Sequence, residues 1–254
     1  MPDRTPHGLV IGKFYPPHSG HHLLIRTAAA ASDRVTVLVL SHEVESIPHA
    51  TRVAWLREVH ADDRNVTFVP VIDDHPVDFM DPDVWDLHDA VFRAGVATVT
   101  GDPVTAVFSS EPYGPELARR FGAEAIAVDA ERGREPVSGT AVRDDPVAHW
   151  DRLAPCVRAW FVRRVVVDGD AEALAAALRV RGGAFTATEV VTDASDVDVA
   201  ARRGGPVLLL VADRPDADLR IATDEDAVGA VDALLAAGWG LAPPRLPANG
   251  TESI

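Results

Sequence analysis

Cysteine occurs once, as Cys156, so the chain can form no internal disulfide and no cysteine cluster for a metal ion. Lysine is as scarce: of 24 basic residues, 23 are arginine and one, Lys13, is lysine. Positive charge is short altogether, with 39 acidic residues setting the net charge at −15. That balance argues against non-specific binding to nucleic acid or to an anionic membrane, because both need a basic face. Long apolar runs are missing too. None reaches the roughly 18 residues that a membrane-spanning helix needs. The opening residues lack the unbroken apolar core of a signal peptide, being interrupted by Gly12, Lys13, Pro16 and Pro17. A soluble, cytoplasmic protein is the expectation, with no nucleic-acid or membrane partner.

What is present is enough for one ordinary domain and a smaller one: 254 residues, 47% of them hydrophobic. The apolar run Leu9–Ile11 reads as a buried strand. Gly12 breaks it, Pro16 and Pro17 force an extended turn, and Gly20 onward opens an apolar-periodic helix. Lys13, His18 and His21 therefore fall between the carboxyl end of a strand and the amino end of a helix, where open α/β sheets bind ligands and helix N–H groups favour phosphate. A slender ammonium suits a crowded phosphate site better than the broad guanidinium fork.

Strands then alternate with helices: strands over Arg34–Leu40, Val66–Ile72, Thr105–Ser109 and Ala123–Val128, and helices over Thr51–His60, Val84–Phe92 and Tyr113–Phe121. This spacing predicts an α/β fold with a doubly wound parallel sheet. Pro155–Val165 is expected to be a helix closing a first domain of residues 1–165. Residues 166–254 are alanine-rich and acidic, and predict a small α/β segment with helices over Glu172–Leu178 and Asp226–Ala237 and strands over Phe185–Val191 and Val207–Val211. The tail from Pro243 is expected to be disordered.

A second motif, Ser138-Gly-Thr-Ala-Val-Arg143, follows a charged loop and opens a short helix. Ser138 or Thr140 can cap it, offering hydroxyls and backbone N–H groups to an anion, and Arg143 lies one turn on. Val107-Phe-Ser-Ser-Glu111 ends a strand with two hydroxyls, Ser109 and Ser110, and a carboxylate, Glu111. These suit a nucleotide's sugar or base, or simply turn the chain. The histidines at 42, 49, 60, 75, 88 and 149 show no metal-ligand spacing, so no metal site is expected among protein groups.

Gly12-Lys-Phe-Tyr-Pro with His18-Ser-Gly-His21 resembles the HxGH signature of the nucleotidyltransferase superfamily, in wording close to the nicotinamide-nucleotide adenylyltransferase domain of NadR-type proteins. The resemblance extends through Arg52-Val-Ala-Trp55, Val107–Pro112, Val128–Arg132, Ser138–Arg143 and His149–Phe161. It implies a Rossmann-like domain moving AMP from ATP to nicotinamide mononucleotide, giving NAD and pyrophosphate by direct in-line attack. Mg²⁺ would be bound mainly through substrate phosphates. By the same resemblance His18 meets the α-phosphate, His21 the nucleotide phosphate or ribose, and Lys13 and Arg143 the β- and γ-phosphates. Gly12, Phe14, Ser109, Ser110, Glu111, Asp129, Arg132, Ser138 and Thr140 surround the nucleotide, and Tyr15, Arg52 and Trp85 the acceptor. Arg52 has a second reading, a salt bridge within its own helix.

Leu87 stands where an aromatic is expected, so transfer of a cytidylyl or adenylyl group to another small phosphate or phosphonate is the alternative. A nucleotide sensor without turnover ranks third. NadR-type proteins continue into a P-loop kinase, but a chain whose only lysine is Lys13 has no P-loop lysine. Residues 166–254 then read as an inactive kinase remnant that packs on the first domain or joins copies of the chain into a homo-oligomer.

Overall fold

The computed structural model describes residues 4–42, 45–78, 81–211, 214–223 and 226–236. The expected disordered tail from Pro243 lies outside them. Two compact units divide between Thr140 and Ala141.

In the first unit β1 (Thr5–Gly12), β2 (Ser32–Ser41), β3 (Val66–Ile72), β4 (Ala106–Ser109) and β5 (Glu124–Ala127) form one sheet in the order β3-β2-β1-β4-β5. Every pairing is parallel; β1 runs beside β2 from Thr5 opposite Ser32 to Gly12 opposite Val39. The helices α1 (Ser19–Ala31), α2 (His49–Val59), α3 (Pro82–Ala97) and α4 (Gly114–Phe121) make the crossovers. Alternation along β1 explains why it sits at the centre. Val10 joins one core with Phe14, Ile25 and Leu56, while Leu9 and Ile11 join another with Trp85, Phe92 and Leu117. A strand apolar on both faces must be covered on both, and that is the doubly wound fold the alternation predicts. The chain winds outward from β1 to β3 and returns to β4 on the other side of β1. The crevice above β1 and β4 is therefore the topological switch point.

The short helix α5 (Gly139–Asp144) carries the division between the units. In the second unit α6 (Pro155–Phe161) leads into β6 (Arg163–Asp168), followed by α7 (Ala171–Arg181), β7 (Glu189–Val191), α8 (Val197–Arg203), β8 (Val207–Leu210), β9 (Leu219–Ala222) and α9 (Ala227–Ala236). Its four strands are all parallel, in the order β7-β8-β6-β9. α7 and α9 share a core with one face, through Leu174, Leu178 and Val231. α8 covers the other through Val197, Ala200 and Ala201.

Three expectations are corrected. The helix expected over Pro155–Val165 stops at Phe161, and Val165 lies in β6. β-Branched valines pack better on a pleated sheet, and Asp218 holds the strand's start by accepting from Arg163 Nη1 at 3.1 Å and from the Arg164 N–H at 2.6 Å. A boundary at residue 165 would cut β6, so the helical segment 141–162 goes with the second unit. The strand expected over Phe185–Val191 shrinks to Glu189–Val191, because Gly182 and Gly183 take left-handed φ of 77° and 60° and a 3₁₀ turn covers Gly183–Phe185.

Candidate functional site

The turn after β1 and the start of α1 place two imidazoles face to face. His18 precedes the helix in extended conformation, φ −145° and ψ 174°, and its side chain does not cap the helix. It is 4% exposed, and its ring stacks on His21 at 3.8 Å between centroids. Gly20 makes room for this, since a Cβ there would stand 3.2 Å from His18 Cε1 and Nδ1. Phe14, 1% exposed with φ 49°, supports His21 edge-on at 5.0 Å. Among the described residues His21 Nδ1 is buried with no hydrogen-bond partner.

Opposite the histidines stands the loop after β5. Ser19 Oγ donates to Glu135 Oε2 at 2.5 Å and so joins α1 to that loop across 116 residues. Asp129 and Arg132 both adopt left-handed backbone, φ 50° and 52°. The Asp129 carboxylate locks the bend by accepting from the N–H groups of Arg134 at 3.0 Å and Glu135 at 2.9 Å, and these bonds hold it below the usual carboxylate range. Non-glycine residues in such conformations cluster at ligand sites. Arg132 donates to Glu111 Oε1 and to the Val137 carbonyl. The cavity enclosed has a volume of about 80 Å³. His18 and His21 line one side and Ser110, Glu111, Arg132 and Ser138 the other, at the carboxyl ends of β1 and β4.

Residues 9–145 match the cytidylyltransferase-like family. The chain belongs to it. The trifunctional NAD biosynthesis/regulator protein NadR of Salmonella typhimurium (strain LT2) is 26% identical over 174 residues, 64% of this chain and 42% of that protein. NadR of Escherichia coli (strain K12) is 24% identical over 176 residues, with the same coverage. The match thus spans less than half of the length of these curated relatives. In three dimensions the chain resembles a NadR protein in complex with NAD and AMP-PNP, with a TM-score of 0.61 and 20% identity over 83% of this chain and 70% of that one. It also resembles a NadR protein in complex with NR, with a TM-score of 0.59 and 18% identity over 92% and 75% of the two chains. A nucleotidyltransferase on a Rossmann-like fold, with homology to NAD biosynthesis proteins, follows.

Within this cytidylyltransferase-like site the other expected residues divide. Ser109 is buried, and its Oγ accepts from the Glu111 N–H at 3.0 Å, turning the chain so that Ser110 and Glu111 face the cavity. Thr140 ends the first unit; Arg143 belongs to the second, in the last turn of α5. Gly12, Lys13 and Trp85 line a second cavity, of about 220 Å³, walled by Ile11, Phe92 and Tyr113. There Lys13 pairs with Glu45 at 3.3 Å. Tyr15 Oη hydrogen-bonds Ser46 Oγ and accepts from the Ser46 N–H at 2.8 Å. Arg52 is 0% exposed and donates to the carbonyls of Lys13 and Leu40, to Ser41 Oγ and to Glu45. It is a clamp between two loops, and its ion pair reaches the loop ahead of its helix, where the second reading had kept it inside α2.

Two clusters escaped the sequence reading. One is a buried relay in which Asp63 accepts from His60 Nδ1 at 2.7 Å and His60 Nε2 meets His22 Nδ1 at 2.9 Å. The other is Asp73 with His75 and His88 in the second cavity. The spacings His60-x-x-Asp63 and Asp73-x-His75 were the signals available.

Burial holds His21 well below the usual imidazole range, helped by the charges of His18, His22 and Arg132, and holds His22 down to about 3. Both are therefore neutral in the folded chain at neutral pH. An unfolded histidine gains its proton near pH 6.5, so below that pH the unfolded state binds protons that the folded state refuses. Stability is expected to fall by about 1.4 kcal/mol per pH unit for each such histidine below about pH 6.5. Urea midpoints measured from pH 7 to 5 check this. His22→Gln should flatten the slope by one proton, and a flat wild-type profile contradicts the burial argument.

Proposed function

We propose that the chain transfers AMP from ATP to the phosphate of nicotinamide mononucleotide, giving NAD and pyrophosphate. The observation that carries this reading is the stacked His18–His21 pair, facing Ser110 and Ser138 across one cavity at the switch point. An acceptor phosphate oxygen attacks the α-phosphorus in line, the bond to the bridging oxygen of the β-phosphate breaks, and pyrophosphate leaves. His18 donates to the α-phosphate as charge builds there, and neutral His21 donates to a neighbouring phosphate or ribose oxygen. The family resemblance assigns the β- and γ-phosphates to Arg143. Lys13, paired with Glu45 on the second cavity, is left out of the phosphate clamp that the resemblance implies for it. No covalent enzyme intermediate is invoked, since the acceptor phosphate is itself the nucleophile. Positioning two anions supplies most of the rate.

A magnesium ion, when bound, neutralises phosphate charge during the transfer. Glu111, Asp129 and Glu135 are already engaged by Arg132, backbone N–H groups and Ser19, so the ion would be held mainly by substrate oxygens and water.

A second reading, cytidylyl or adenylyl transfer to another small phosphate or phosphonate, draws support from the polar Asp73–His75–His88 group on a wall of the second cavity. Pyrophosphate release with ATP or CTP against a panel of acceptors separates the readings. The first expects turnover with ATP and nicotinamide mononucleotide. Turnover only with another pair selects the second, and tight nucleotide binding that never yields pyrophosphate selects a sensor.

No kinase activity is expected from the second unit. Where a phosphate loop would wrap the helix after β6, the Asp170 carboxylate caps α7 by accepting from the Ala173 N–H at 3.0 Å, and an acid there repels phosphate. Phosphorylation of nicotinamide riboside by the pure protein overturns this.

A further inference from the structure

The second cavity holds a group of side chains to which AMP transfer to nicotinamide mononucleotide, as proposed above, gives no role. Asp73 follows the end of β3, His75 lies two residues on, and His88 stands on the buried face of α3. Their donor atoms all lie within 4.8 Å of one another. One Asp73 oxygen faces His75 Nδ1 at 2.8 Å and the other faces His88 Nδ1 at 2.6 Å. The geometry is fixed from outside the group. The Asp73 N–H donates to the Ser41 carbonyl at 3.0 Å, and His88 Nε2 lies 3.0 Å from the Pro76 carbonyl.

The surroundings argue for a cation. The Asp73 side chain is 4% exposed and that of His88 10%, beside the apolar walls of Trp85, Phe92 and Tyr113. An enclosed carboxylate is costly unless positive charge faces it. Lys13 is the ammonium in this cavity, and it is committed to Glu45. Two imidazoles and a carboxylate drawn from a strand end, a loop and a helix, converging in a cavity, are the donor set that first-row transition ions favour; magnesium favours oxygen alone.

We propose that Asp73, His75 and His88 bind a divalent first-row transition ion of the Zn²⁺ or Co²⁺ type. Three protein donors leave coordination positions open, and the cavity offers room on that side for water or a ligand oxygen. The inference does not rest on the nucleotidyl-transfer reading, because all three residues lie outside the cavity of His18 and His21.

The test is titration of the tag-free, full-length, chelator-stripped chain with Co²⁺, followed by visible d–d absorption, with Zn²⁺ stoichiometry from equilibrium dialysis. One equivalent of each ion is expected. Asp73→Asn and His75→Ala should weaken binding at least about tenfold, since loss of even an outer-shell partner costs about 10–100-fold. His75 is the safer substitution because its side chain is 35% exposed, so it decides the matter should Asp73→Asn fail to fold. Absence of a stoichiometric cobalt spectrum overturns the proposal, and so does binding that His75→Ala leaves unchanged.

Discussion

Replacing His18 with alanine lowers turnover by about 10²–10³-fold while the protein stays folded. The imidazole is 4% exposed, stacks on His21 at 3.8 Å and lines the cavity; in the proposed transfer its loss removes a fixed donor from the α-phosphate oxygens where charge builds. It does not cap α1, so the helix keeps its start: the His22 N–H still donates to the residue 18 carbonyl, 3.1 Å away. A loss that fell on binding alone would appear in KM. The loss is expected in kcat, because the bond strengthens as the transition state forms. Gly20→Ala is the companion variant. Its Cβ, 3.2 Å from the His18 ring, displaces the donor without deleting it, and a loss of about tenfold is expected. Near-normal pyrophosphate release by His18→Ala would remove this histidine from the chemistry.

Arg52→Ala is expected to cost about 3–5 kcal/mol of stability, the usual penalty for removing one partner from a buried ion pair. The guanidinium is 0% exposed and serves four acceptors at once: the Lys13 and Leu40 carbonyls, Ser41 Oγ and the Glu45 carboxylate. Deleting it leaves Glu45 with Lys13 and the Ser41 hydroxyl, and releases the turn that carries His18 from the loop after β2. Lysine should not rescue, since a point charge cannot serve a forked set of acceptors. Chemical denaturation measures the loss. A variant as stable as wild type with a raised KM for the acceptor restores Arg52 to substrate binding.

These two residues mark what could be read in advance. The strand-turn-helix around His18 is a local pattern: an apolar run, a glycine, two prolines and a periodic helix lie within a few residues of each other. The family resemblance pairs it with Ser138–Arg143; Ser138 lines the cavity of His18, and Ser19 hydrogen-bonds Glu135 just ahead of that motif. Arg52 was another matter. Its side chain faces inward because of the phase of α2 against β2, and an arginine at that spacing reads equally well as a surface residue. Asp73, His75 and His88 meet only because α3 presents His88 to the end of β3, a register that no spacing rule contains. The strand β6 was hidden for a related reason. Val162–Val167 follows a helical run without glycine or proline to end it, and the partners that make it a strand, β8 and β9, lie more than forty residues onward.

The most direct test follows phosphorus. The chain is given ATP labelled at the α-phosphate, or in a parallel reaction at the γ-phosphate, together with nicotinamide mononucleotide, and the products are separated. AMP transfer by direct attack puts α-label in NAD, γ-label in pyrophosphate and none on the protein. Gamma label on the acceptor, or label bound without any turnover, contradicts it.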